Sequence, residues 1–174
     1  MATMRNQITD EQLRDLIPRL RRFAFWLTRQ EASAEDLVQS CLERALTHGE
    51  SRRQDGNLRP WLFSILYRQF LDGQRRAKRY ARLLEFFKGG EQLLTSSTED
   101  LVLARTTLEG FSKLPAEQRA LLLLVTVEGL TYQEAADTLA VPIGTIMSRL
   151  SRARKALREL TEGQVVKTPL RILK

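Results

Sequence analysis

Three stretches of the chain gather side chains from which chemistry can be built. In AEDLVQSCLERAL, residues 34–46, the carboxylates Glu35, Asp36 and Glu43 recur at helical intervals. A general acid–base pair needs a partner that splits two proton affinities, and a metal site needs converging His, Cys or carboxylate ligands. Neither histidine nor ligand spacing accompanies these acids, so they read as the exposed rim of an apolar docking face. RPWLFSILYRQFLDGQRRAKR, residues 59–79, mixes aromatic rings with cations. That combination tracks a single-stranded backbone and offers surfaces to unstacked bases. Trp61, at helical spacing with Ile65, belongs to a core stripe instead. Finally, TYQEAADTLAVPIGTIMSRLSRARKALREL, residues 131–160, turns a short acidic helix at a proline into a long one studded with arginine.

The remaining reactive residues take ordinary roles. His48, the single histidine, has no cysteine or histidine neighbour and follows a helix end, where an imidazole is well placed. Cys41, the single cysteine, lies on an apolar stripe as a small core residue and cannot form an internal disulfide. No glycine-rich phosphate loop, nucleophile elbow or paired metal motif is found. The expectation is a protein without catalytic residues, cofactor or metal.

Around these stretches the apolar spacing is helical. Leu13, Leu16, Ile17, Leu20, Phe23, Ala24 and Leu27 advance in steps of three and four, as do Leu37, Val38, Cys41, Leu42, Ala45 and Leu46, and then Trp61, Leu62, Ile65, Leu66 and Phe70. Thr9 with Gln12, Ser33 with Asp36 and Thr131 with Glu134 are spaced to cap first turns, and Pro60 and Pro115 suit first helical turns. No alternating strand pattern flanked by hairpin turns occurs. The expected fold is all-α, in two small helical domains over residues 5–87 and 100–163. Between them KGGEQLLTSSTED has two adjacent glycines and a polar Thr/Ser run, a composition suited to a flexible linker over 88–99. Residues 164–174 form a tail.

Charge and hydropathy narrow the partners. The chain has 174 residues and a net charge of +7, yet 59–88 and 141–174 each hold eight Lys/Arg against two acids, so the remainder is net acidic. Two separated basic surfaces in an otherwise acidic protein fit a polyanion whose counterions they displace. The start MATMRNQITDEQ lacks the apolar core of a signal peptide, and the longest apolar run, ALLLLVTV at 120–127, is far shorter than the roughly 20 residues a membrane helix needs. A cytoplasmic protein with no membrane insertion is expected.

The third stretch has helix-turn-helix form. Thr131 caps a helix through Leu139, AVP makes the corner, and a second helix runs from near Pro142 to about Leu160. On it Ile146, Leu150, Ala153, Leu157 and Leu160 fall within about 80° of one another and must face the core. Thr145, Ser148, Arg149, Arg152 and Lys155 then point the other way, toward the base edges and phosphates of a major groove.

At these residues the sequence resembles a family. LTYQEAADTLAVPIGTIMSRLSRARKAL is similar to the DNA-binding region of the extracytoplasmic-function sigma factors, the small two-domain initiation factors of bacterial RNA polymerase. AEDLVQSCLERAL resembles their polymerase-binding helix and RPWLFSILYRQFLDGQRR the helix that opens promoter DNA. The likeness spans roughly residues 10–160, with three motifs in the right order. It implies that Asp36, Gln39 and Glu43 contact core RNA polymerase. It also implies that Arg59, Tyr67, Arg68, Arg75, Arg76 and Arg79, with the preceding loop HGESRRQDGNL, recognise a minus-10 promoter element. Thr145, Met147, Ser148, Arg149, Ser151, Arg152 and Lys155 would then recognise the minus-35 element. Glu91, Glu99 and Asp100 of the linker would imitate nucleic acid near the polymerase active site, and an anti-sigma factor would mask these surfaces. Two positions depart from the family pattern. Arg68 stands where many members have asparagine, and Met147 where lysine or arginine is usual.

Two other classes fit the same features. A stand-alone helix-turn-helix regulator would bind duplex DNA tightly unaided and would need a dimer interface. A sigma-like mimic that sequesters an anti-sigma factor would bind neither DNA nor polymerase, and the intact basic face from Arg149 to Lys155 counts against it.

Overall fold

The computed structural model describes residues 8–48, 57–87 and 105–165. Among them the chain forms seven α-helices and no strand, arranged as two compact units. Residues 1–7, 49–56, 88–104 and 166–174 lie outside the described residues, and with them the expected linker over 88–99 and Glu91, Glu99 and Asp100, whereas Gln164 and Val165 of the expected tail continue the last helix.

The first unit is built from α1 (Asp10–Thr28), α2 (Glu31–Thr47) and α3 (Leu58–Phe87). Thr9 caps α1 in a reciprocal box: the Gln12 amide donates to Thr9 Oγ1 at 3.3 Å, and the Thr9 amide to Gln12 Oε1 at 3.1 Å. The expected Ser33 cap does not form. Helix α2 starts at Glu31 behind Gln30, and Ser33 Oγ instead donates to the Gln30 side chain at 3.1 Å. The three apolar stripes meet. Phe23 of α1 and Phe63 of α3 are both about 1% exposed or less and touch edge to face, ring centroids 5.1 Å apart at 77°. Val38, Cys41 and Ala45 close the core from α2. Polar ties hold the register. Arg21 Nε lies 2.9 Å from Glu35 across α1 and α2, and Gln69 Nε2 donates to Ser40 O across α3 and α2 at 3.1 Å.

Helix α3 changes character half-way. Leu62, Phe63, Leu66 and Phe70 are buried, whereas every residue from Asp72 to Arg82 is exposed. From Asp72 to Arg82 the sequence offers only Ala77, Tyr80 and Ala81 beside Gly73 and the polar and charged residues, so no apolar stripe runs through this part to be covered.

The carboxy-terminal part of the chain comprises α4 (Arg105–Lys113), α5 (Ala116–Leu122) with a π-helical continuation over Leu123–Val127, α6 (Tyr132–Leu139) and α7 (Ile143–Val165), and forms the second unit except for Asp137–Ala140, which group with the first. Pro115 is the residue just before α5 rather than a member of its first turn. Buried Arg119 donates to the carbonyls of Ser112 and Leu114, satisfying acceptors that the end of α4 leaves open. The run ALLLLVTV is therefore a core element, with Leu121 to Leu124 buried. Gly129 sits at φ +66, a left-handed turn that Cβ-bearing residues adopt at a cost, and Leu130 closes it by donating to Leu124 O at 2.9 Å. Gly110 of α4 lets α7 come close: a Cβ there would lie 3.2 Å from Thr161 Cγ2 and 3.4 Å from Leu160 Cβ.

Candidate nucleic-acid interface

The reading helix begins at a defined corner. Thr131 caps α6 as expected, accepting from the Glu134 amide at 3.1 Å while its own amide donates to Glu134 Oε2 at 2.8 Å. Helix α6 stops at Ala140, which takes the left-handed conformation at φ 54. The Ala140 amide donates to Asp137 O at 3.4 Å and the Val141 amide to Ala136 O at 3.0 Å, the two-bond closure of a Schellman turn. Pro142 cannot continue α6, and its carbonyl accepts from Thr145 and Ile146 to open α7.

Helix α7 buries Ile146, Leu150 and Ala153, and half-buries Leu157 and Leu160, so the expected stripe faces the core. Met147, Ser148, Ser151, Arg152 and Lys155 are exposed. Thr145 and Arg149 are only half-exposed, because they stand at the shoulder between the two faces. The Arg149 guanidinium lies 3.5 Å from Glu117 of α5, so its charge is partly met within the protein. Arg152 Nε reaches back to Ser148 O at 3.3 Å, and Lys155 Nζ lies 3.9 Å from Glu159. Arg154 and Arg158, absent from the sequence-based set, are exposed beside Met147 and Ser151. Their position in the same charge run was the signal for them.

A second cationic surface is the outer half of α3. Arg68, Arg75, Arg76 and Arg79 are exposed, with Arg75 3.6 Å from Asp72. Tyr67 is not on that surface. At 5% exposure it packs in the core with its ring 6.5 Å from that of Phe70, because it falls on the same stripe as Phe63 and Phe70. Among the described side chains of this half of the helix the exposed aromatic is Tyr80, 65% exposed among Arg76, Arg79 and Lys78. Its sequence signal was a ring inside a basic run. Arg59 is half-buried at the start of α3, its Nε enclosed and without a hydrogen-bond partner among the described residues.

On α2, Asp36, Gln39 and Glu43 are all exposed, and Gln39 Nε2 donates to Glu43 Oε1 at 3.0 Å. One turn beyond, on the same side, Leu46 is 64% exposed and adds an apolar anchor that the carboxylate pattern did not reveal. Cys41 sits beneath this face with no exposure. Burial pushes its thiol up from 9.0 to about 12, the Leu66 backbone offsetting part of the rise. Among the described residues no group of three or more His, Cys, Asp or Glu is placed to hold a metal ion. No helix there is long and apolar enough to cross a membrane.

Two family models match the two units: the Sigma2 domain of PhyR over residues 13–67, and Sigma-70 region 4 over residues 107–157. The sequence is 36% identical over 148 residues to the ECF RNA polymerase sigma factor EcfG of Rhodopseudomonas palustris, covering 83% of this chain and 80% of that one. The chain belongs to the ECF sigma factors. Its function is accordingly that of an alternative sigma factor in promoter-specific transcription initiation. It is also 30% identical to the ECF sigma factor SigM of Bacillus subtilis, with 80% of this chain and 86% of that one covered. Among solved structures it is similar to the sigma factor RpoE of Bartonella quintana, crystallised in complex with the anti-sigma factor NepR. That likeness has a TM-score of 0.73 at 32% identity, over 87% of this chain and 95% of that one.

Proposed function

We propose that this sigma factor divides initiation between its units. Asp36, Gln39, Glu43 and Leu46 of α2 dock on core RNA polymerase. The cations of α3 with Tyr80 hold the minus-10 strand as it melts, and the exposed side of α7 reads the minus-35 element. The observation that carries this reading is α7 itself: a core-facing apolar stripe backed by Ser148, Ser151, Arg152 and Lys155 on a helix launched from a helix-turn-helix corner. Exposed Arg82 and Lys78 extend the α3 surface along its length and supply the counter-charge a displaced strand needs. An anti-sigma factor covers these faces when the protein is idle, a reading supported by the likeness to the Bartonella quintana sigma factor crystallised in complex with the anti-sigma factor NepR. The work is cytoplasmic and regulatory rather than enzymatic.

Reconstitution with core polymerase followed by transcription from a promoter library tests the assignment. The expected result is initiation from a subset of sequences sharing two spaced elements, lost at the upstream one in Arg152→Ala. The amino-terminal match to a PhyR-type domain supports one other reading, a mimic that only sequesters an anti-sigma factor. The exposed cations of α7 argue against it, and binding to an anti-sigma protein with no binding to core polymerase would favour it.

A further inference from the structure

At the start of α7 one flank of the exposed side is apolar. Ile143 is 45% exposed and Met147 57%, and four residues apart they share a face. Tyr132, the first residue of α6, is 37% exposed. Tyr132, Met147 and Leu150 line an open concavity of about 480 Å³ together with Ser151, Arg154, Lys155 and Arg158. The surface thus combines apolar contact, chiefly from Met147 and Tyr132, with three positive charges.

A major groove presents the complement of that arrangement. Each thymine puts its C5 methyl among the acceptor edges of neighbouring bases, within reach of flanking phosphates. Methionine suits this contact: its unbranched, polarisable side chain can follow a methyl group, and it has no donor with which to prefer guanine. Ser148, Ser151 and Arg152 of α7 are exposed near the patch, so DNA lying on that side of the helix comes within reach of it.

We propose that Met147, flanked by Ile143 and Tyr132, is a specificity-determining residue that reads a thymine methyl in the upstream promoter element. Arg154 and Arg158 hold the adjoining phosphates. The inference rests on the reading of α7 as the helix that contacts that element. It adds that Met147 selects an A·T pair at the position it contacts.

The test uses holoenzyme reconstituted with core polymerase and the upstream element chosen from a duplex library. Each thymine of the selected element is then replaced in turn by deoxyuridine, which lacks only the methyl group. At one position the loss should weaken binding about three- to fivefold, the value of burying one methyl-sized group. Met147→Ala should bind the thymine and uracil forms equally at that position while keeping its preferences elsewhere. Met147→Leu, which retains apolar contact, should still discriminate, and Met147→Lys should shift the preferred pair there to G·C. Met147→Ala that discriminates thymine from uracil as the wild type does, at every position, overturns the proposal even if its affinity falls. Arg152→Ala separates the two levels. Unchanged upstream binding in that variant removes the reading of α7 as a whole, whereas its loss beside unaltered thymine discrimination in Met147→Ala removes only the role of Met147.

Discussion

Arg149 and Arg152 stand three residues apart on α7, yet the fold gives them different surroundings. Arg149 is half-buried and 3.5 Å from Glu117, while Arg152 is exposed on the side away from the core. A partly exposed ion pair contributes little to stability, about 0–1 kcal/mol, but it holds the guanidinium against α5. Arg152→Ala should therefore weaken holoenzyme binding to the upstream element by about 1–3 kcal/mol, and Arg149→Ala by clearly less. Equal losses, measured by titration of the same duplex, would mean that Arg149 leaves Glu117 to bind DNA. Cys41 supports a prediction of another kind. The unfolded chain releases this thiol proton near pH 9, whereas the folded chain keeps it until about 12. The contribution to stability is intact below pH 9 and declines as pH rises from 9 to 12. The stability of the wild type measured against Cys41→Ala in urea should fall across that window, and a gap that stays constant would contradict the buried, neutral thiol.

The corner between α6 and α7 stores strain in one residue. Ala140 adopts the left-handed conformation, which costs an L-residue about 1–2 kcal/mol, while its amide and that of Val141 close the Schellman turn. Ala140 is exposed, so glycine fits without loss of packing. Ala140→Gly should raise stability by about 0.5–1 kcal/mol after the entropy that glycine adds to the unfolded chain. A lower midpoint in thermal unfolding would refute the strain. On α2 the predicted effect is on partners alone. Asp36 and Glu43 are exposed, so replacing both by lysine should change stability by less than about 1 kcal/mol in total while weakening competition for core polymerase. Undiminished competition would take the docking role away from that face.

Across the whole molecule the two cationic surfaces belong to separate units, α3 in the first and α7 in the second. Neither surface alone is expected to specify a promoter. The free protein should bind duplex DNA weakly, without sequence preference and with steep salt dependence, because that binding is phosphate neutralisation alone. In holoenzyme, selectivity should appear as polymerase holds both surfaces at fixed separation. Nanomolar, sequence-selective binding by the free chain at physiological salt would count against this division and for a stand-alone regulator.

Local chemistry was legible in the order of residues. Three- and four-residue apolar steps announced helices, Thr9 with Gln12 and Thr131 with Glu134 marked two starts, and the proline after Ala140 and Val141 marked the corner. These depend on neighbours within a turn, so spacing suffices to find them. Periodicity also named the faces of α7 and the carboxylates of α2. What it could not state was which surfaces other elements would cover. Tyr67 reads as an aromatic in a basic run, but its stripe is closed by the core around Phe70. Arg149 reads as a groove cation, but Glu117, 32 positions earlier, meets it. Ser33 reads as a cap, but α2 begins two residues before it. The π-helical end of α5 and the left-handed Ala140 depend on how α5, α6 and α7 are joined and packed, as does the apolar patch at Met147. Each of these was decided only by tertiary structure, because burial, charge pairing and backbone strain are set by residues distant in the chain.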